Sequence, residues 1–322
     1  MECPNLSVAR FTLSDISSLA SWYIRHQLIL GWEDKLACAK LIFDCKNQHG
    51  EGIFWNAVDG LVWWTDIEGR ALWSFDPATS LGQSYPMKDR VCCFAPRLSG
   101  GFIVAFADRI SFLDLSTGVE EKICDFEPAN LETRTNDGCT DRQGRFVVGG
   151  MNEKSGAASS SVIRVDEKLN VETLLEGVSC ANSTCFTADG ATMFFADTPD
   201  REILAFDYGE DLSARRVLVS FEGEPGLPDG SCVDAEGGVW NAEWEGGRVV
   251  RVSPEGRIDT VIDLPVWKPT CCAFGGPDLD TLYITTSRLM SDEATLEREP
   301  NSGGLFAVKP GFKGLQDTPF CG

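Results

Sequence analysis

The sequence predicts an all-β fold, a six-bladed β-propeller of four-stranded blades. The main observation is one phrase that recurs six times. It reads "GLVWWTDIEGRALWSFDPATS" from Gly60, "GFIVAFADRISFLDLSTG" from Gly101 and "GRFVVGGMNEKSGAASSSVIRVD" from Gly144. It returns as "GATMFFADTPDREILAFD" from Gly190, "GGVWNAEWEGGRVVRVSPEG" from Gly237, and "DTLYITTSRLM" followed by "NSGGLFAVKPG" from Asp280. The starts lie roughly 40–47 residues apart, the length of a propeller blade. The second observation is the shape of each copy: Gly or Asp-Gly, a β-branched and aromatic run, a polar turn, then a second apolar run. That is a hairpin pattern. Such a hairpin cannot bury its own apolar face and must stack on its neighbours, and radial repetition solves the edge problem this creates. The third observation is the dense Gly punctuation, without helical heptads, which excludes long helices from this region.

The repeat runs from about residue 37 to the end, so the 322 residues divide into an N-terminal extension, 1–36, and one propeller, 37–322. Within the extension, Ser14–Gln27 is compatible with a short helix capped by Ser14 or Asp15, with Ile16, Leu19 and Tyr23 on one face. The segment Lys40–Cys45, "KLIFDC", is expected as the outer strand that completes the C-terminal blade and closes the ring. A net charge of −21 works against nucleic acid and anionic membrane as partners. No basic region precedes a long apolar stretch at the start, and no run approaches the length of a membrane span.

Thirteen cysteines, an odd number without regular spacing, argue against a disulfide framework. With only His26 and His49 available, no Cys/His set has zinc spacing. Reduced thiols acting as small buried hydrophobes are expected, and with them a cytoplasmic location.

Chemistry is expected where single copies break the pattern. Four stretches do: "HGEGIFW" (His49–Trp55), "TRTNDG" (Thr133–Gly138), "CANSTCF" (Cys180–Phe186) and "GLPDGSCVD" (Gly226–Asp234). Each puts a carboxylate or amide just before a strand, in a Gly-rich or polar turn. Asn-Asp-Gly and Asp-Gly alone are ordinary turn sequences. Glu51 between two glycines, Asn182 with no glycine after it, and Asp229 are more telling as a set, because each falls at the same point of a blade. Three oxygen ligands without sulfur or imidazole suit one hard divalent cation, Ca²⁺, Mg²⁺ or Mn²⁺, with Zn²⁺ also compatible.

The pieces "GEGIFW", "RTNDGCTDRQGRFVVGGM", "ANSTCFTADGATMFFADT", "LPDGSCVDAEGGVW" and "SGGLFAV" resemble, in that order, the SMP-30/gluconolactonase/regucalcin-like family. The resemblance covers about residues 37–310. It implies a six-bladed propeller that binds one divalent metal on its axis and hydrolyses a sugar lactone to the aldonic acid. Carried over by position, Glu51, Asn182 and Asp229 are the metal ligands, Arg134 and Asn136 contact substrate, and Glu153 stands where some relatives place a substrate-contacting acid. Two departures stand out. Gly50-Glu51-Gly52 is followed by Ile53 rather than Pro, and Ser183 follows Asn182 where Gly is common, which predicts a backbone there with no need of a strongly positive φ.

Asp229 is expected as the general base, Arg134 as the cation that holds hydroxyls or developing negative charge, and Asn136 as an amide donor. A small-molecule sugar lactone is the expected partner, and the chain a monomer or small homo-oligomer. Two other classes fit the same residues: a propeller hydrolase of other esters or phosphotriesters, with Trp55 and Trp240 near the axial turns lining an apolar pocket, and a non-catalytic metal-binding propeller.

Overall fold

The computed structural model describes residues 37–322; the expected helix at Ser14–Gln27 lies outside the described residues. Six antiparallel sheets follow one another round a ring. Each blade runs from an innermost strand outward. The innermost strands are Gly50–Asn56, Val91–Pro96, Thr133–Thr140, Ala181–Phe186, Leu227–Val233 and Pro269–Gly275. The recurring phrase supplies the second and third strands of each blade, such as Phe102–Phe106 and Arg109–Asp114 in the second blade.

These middle strands lack the usual alternation of apolar and polar residues. Phe102–Phe106 is buried at every position. The reason is that both faces of a blade are covered by neighbouring blades, so strand residues pointing either way meet apolar surface. The apolar side chains accordingly fall into six clusters, one for each interface between successive blades. The outermost strands, such as Val119–Asp125, are polar and largely exposed.

Lys40–Phe43 pairs antiparallel with Leu305–Val308, with Lys40 opposite Ala307 and Leu41 opposite Phe306. The sixth blade is thus closed by the strand that precedes the first, as expected for "KLIFDC". A pairing the pattern did not announce lies beside it: Ala37–Cys38 adds in parallel to Ile258–Asp263, giving the fifth blade a fifth strand. The chain after Val308 crosses from blade to blade, bridging Gly314 to Asp234 and Phe320 to Arg97, and Phe320 is fully buried.

Twelve cysteines lie among the described residues, and all are free thiols. Cys139, Cys185, Cys232, Cys271 and Cys272 line the axial channel with Phe54, Phe94, Phe186 and Phe274. Burial pushes the Cys139, Cys185, Cys271 and Cys272 thiols well above their ordinary range, so they stay protonated and pack as small apolar groups.

Candidate active site

Every innermost strand carries a register irregularity at the same level. The breaks fall between Glu51 and Phe54, Val91 and Cys93, Thr135 and Gly138, Asn182 and Cys185, Pro228 and Ser231, and Pro269 and Cys272. A bulge releases side chains from the ladder and re-aims them. Six of them at one level make a collar in the channel.

The three candidate ligands sit in this collar, inside strands rather than in turns before them as the sequence suggested. Glu51 and Asn182 are the last paired residues before their bulges, and Asp229 lies one place later, within its bulge. Turn-like sequence and bulge share a cause, since both need residues that tolerate unusual backbone; Gly52, for one, has φ 57°. Ser183 corrects a second expectation: its φ is 58°, so the left-handed turn after Asn182 persists without glycine. Its hydroxyl offsets that strain by donating to the Asp229 carbonyl at 2.7 Å, while Asn241 Nδ2 at 3.0 Å and Ser231 Oγ at 3.1 Å donate to it. Ser183→Ala keeps the strain, removes a donor to the Asp229 carbonyl and takes the acceptor from Ser231 Oγ, while Asn241 Nδ2 keeps the Asp229 carbonyl and Ser231 Oγ as partners. It is expected to cost about 1–3 kcal/mol in urea unfolding, and a loss below about 0.5 kcal/mol would contradict this role.

Glu51, Asn182, Asp229 and Arg134 are all buried. The only hydrogen bond to the Glu51 carboxylate from the described residues is from the Gly52 amide, at 3.1 Å. Burial raises the pKa of Glu51, to about 8, and that of Asp229 well above the carboxylate range; the charge of Glu51 raises Asp229 further, and Asp137 adds to both. Asp137, which the sequence reading passed over as part of an Asn-Asp-Gly turn, is itself raised to about 6 by burial. It accepts from the Thr184 amide at 2.8 Å. Arg134 is the cation whose field reaches Glu51.

Three carboxylates gathered in a buried collar, none bonded to a cationic side chain among the described residues, is an arrangement a divalent cation would neutralise. Among the described residues no three His, Cys, Asp or Glu groups form a metal cluster by themselves. The fit therefore depends on a mixed set, two carboxylates and the Asn182 amide oxygen, and hard oxygen donors of that kind match Ca²⁺ or Mg²⁺.

Arg134 Nη1 donates to Asn136 Oδ1 at 2.7 Å and to the Thr135 carbonyl at 2.8 Å. Asn136 Nδ2 in turn donates to the Ala181 carbonyl at 2.9 Å and reaches Asn182 Oδ1 at 3.3 Å. Asn136 thus ties the third blade to the fourth and links Arg134 to Asn182. Glu153 takes both Arg90 Nη atoms at 2.8 and 2.9 Å, and these bonds hold its carboxyl down at about 2. Arg134 Nε lies 3.3 Å from Glu153 but is misaligned, and this buried N–H has no hydrogen-bond partner among the described residues. A polar pocket lies against Arg134 and Glu153, lined also by Arg70, Asp89, Arg90 and Asn130. Trp240 is instead fully buried between the fifth and sixth blades, and Trp55 packs in the core between the sixth and first, so neither lines this pocket.

His49 was not singled out by the sequence except as a rejected zinc ligand. It is buried beside the collar, and burial, then the fields of Arg134 and Lys268, lower its pKa to about 3.

The raised carboxylates fix a pH dependence. Their folded pKa values exceed the unfolded ones, so the native state holds more protons and stability falls as pH rises through the folded values. Chelated protein should therefore melt lower at about pH 8 than at about pH 5, and a divalent cation should flatten the difference. A flat or rising melting temperature over that span without metal would show that the carboxylates are not protonated together.

The fold and collar define a class, the six-bladed propellers with an oxygen-rich axial site. Comparison with known proteins narrows it. Residues 49–288 match the SMP-30/Gluconolactonase/LRE-like region, and this chain belongs to that family. It is 35% identical over 293 residues to an L-arabinolactonase of Azospirillum brasilense, covering 88% of this chain and 96% of the relative. It is 32% identical to a regucalcin of Xenopus laevis, covering 85% and 95%. The crystal structure of a calcium-binding regucalcin from Agrobacterium tumefaciens superposes with a TM-score of 0.84 at 27% identity, covering 88% of this chain and 97% of that one.

Proposed function

We propose that the protein hydrolyses a sugar lactone to its aldonic acid, using one divalent cation held by Glu51, Asn182 and Asp229. The observation that carries this reading is the buried collar of uncompensated carboxylates beside an arginine with an unspent N–H. The family membership and the L-arabinolactonase relative support the substrate class.

When bound, a divalent ion would supply Lewis acidity toward the lactone carbonyl. The chain's own residues do the rest. Asp229, its carboxylate at the collar, takes the proton from the attacking water through an oxygen not engaged elsewhere. Its backbone carbonyl is tethered by Ser183 Oγ and by Asn241 Nδ2 at 3.0 Å, so the bulge that aims it is braced. Arg134 places a permanent positive charge where negative charge develops on the lactone oxygens. Glu153 and Asn136 hold that guanidinium, by ion pairing and by accepting from Nη1 respectively. A polar pocket suits a polyhydroxylated substrate better than an apolar ester or phosphotriester.

A pH-stat assay with aldonolactones, an aryl ester and a phosphotriester tests the reading. Turnover of aldonolactones above the other two is expected. Preference for the ester or phosphotriester would replace the lactonase reading with that of a general propeller hydrolase, and turnover of none would leave a binding protein.

A further inference from the structure

Along a strand, residues two apart share a face. His49 and Cys180 therefore lie on the same face as Glu51 and Asn182, up to which the register is unbroken, and Arg90, Arg134 and Lys268, which open or directly precede their own innermost strands, complete a ring of polar side chains beside the collar. Contacts within the ring agree with this placement. Arg90 and Arg134 share Glu153, Cys180 Sγ lies 3.8 Å from Asn182 Nδ2, and His49 feels the charges of Arg134 and Lys268.

Most polar atoms of this ring are spent. Arg90 is engaged with Glu153 and Glu68, and Lys268 Nζ donates to the Leu289 carbonyl at 2.7 Å and Ser291 Oγ at 3.3 Å. His49 is different. Its Nδ1 lies 3.0 Å from Ser287 Oγ. That hydroxyl has a single proton, which it donates to the Gln48 carbonyl at 2.9 Å, while the Leu289 amide donates to it at 3.0 Å. Ser287 Oγ therefore accepts from Nδ1–H, which leaves the lone pair on Nε2. Nε2 has no hydrogen-bond partner among the described residues, on a side chain only 8% exposed. The Trp244 ring, perpendicular at 5.7 Å, braces the imidazole.

We propose that His49 Nε2 accepts a hydrogen bond from a hydroxyl of the lactone remote from its carbonyl, which makes His49 a specificity-determining residue. The inference rests on the lactonase reading. His49 stands about 7 Å along the strand from Glu51, so the hydroxyl it meets is not the group beside the reacting carbon.

The test measures kcat and KM for an aldonolactone and its singly deoxygenated analogues, with wild type, His49→Leu, His49→Gln and Ser287→Ala, each checked by thermal melting. Wild type is expected to disfavour one deoxy analogue about tenfold in kcat/KM, the worth of one neutral hydrogen bond. His49→Leu should lose that factor on the parent lactone, mainly through KM, and treat parent and analogue alike. His49→Gln, whose side-chain amide reaches close to the Nε2 position, should recover part of the discrimination, and Ser287→Ala, which frees the tautomer, should fall between. Equal loss on every lactone, or no loss on any, by a folded variant overturns the proposal while leaving the lactonase reading intact. If His49→Leu does not fold, His49→Gln and Ser287→Ala decide, and wild-type discrimination in both overturns it. Absence of lactone turnover by wild type overturns both readings.

Discussion

Asp229→Asn is expected to fold, to keep much of its affinity for a divalent cation, and to lose turnover by about 10²–10⁴-fold, the usual size of a lost general base. The substitution keeps an oxygen at the same place and nearly the same volume, and the Asp229 backbone carbonyl still accepts from Ser183 and Asn241. It also removes one of the mutually repelling buried carboxylates, so the metal-free variant should melt at or above the wild-type temperature. Glu51→Gln is the control. It spares the base and should chiefly weaken metal binding, with activity partly restored by excess cation. Near-normal turnover by metal-loaded Asp229→Asn removes Asp229 as the base, and equal behaviour of the two variants removes the division of labour between them.

Deleting residues 1–45 should abolish soluble, cooperative folding, whereas deleting 1–36 should leave activity intact. The larger deletion strips Lys40–Phe43 from Leu305–Val308 and Ala37–Cys38 from Ile258–Asp263. Two sheet edges are then bared at once, and Leu41 and Phe43 no longer cover the apolar clusters of the sixth blade. An open apolar edge templates pairing with other chains. Size-exclusion chromatography and thermal melting of both proteins check this. A 46–322 chain that elutes and melts like the 37–322 chain would mean that the ring does not depend on its closing strand.

The ring was legible because its period is written in hairpins whose middle strands are apolar on both faces, as in Phe102–Phe106. The closing strand was legible as an apolar run left over ahead of the first repeat. Ala37–Cys38 was not, since a two-residue parallel pairing has no pattern of its own. At the site, the motifs named residues that do lie in the collar, but their phase was misjudged. Gly52, Asn136-Asp137 and Asp229-Gly230 look like turns, and their β-bulges show only in cross-strand register. Ser183 defeated a rule that equates positive φ with glycine, because its three hydroxyl contacts come from residues far along the chain or in another strand. Asp137 was hidden inside a common turn sequence. His49 carried a local signal that went unused, its spacing of two from Glu51, which puts both on one face of a strand. Trp55 and Trp240 were read as pocket aromatics because sequence proximity to a turn does not say which side of the blade a ring occupies.

The central claim is that the collar's carboxylates act through one divalent cation on a lactone. The most direct measurement is the initial rate of aldonolactone hydrolysis by a single preparation as isolated, after exhaustive chelation, and after titration with one divalent cation, with bound metal counted at each stage. The rate should be lost on chelation and restored in proportion to cation bound, saturating at one per chain. An undiminished rate in protein shown to contain no metal would contradict it.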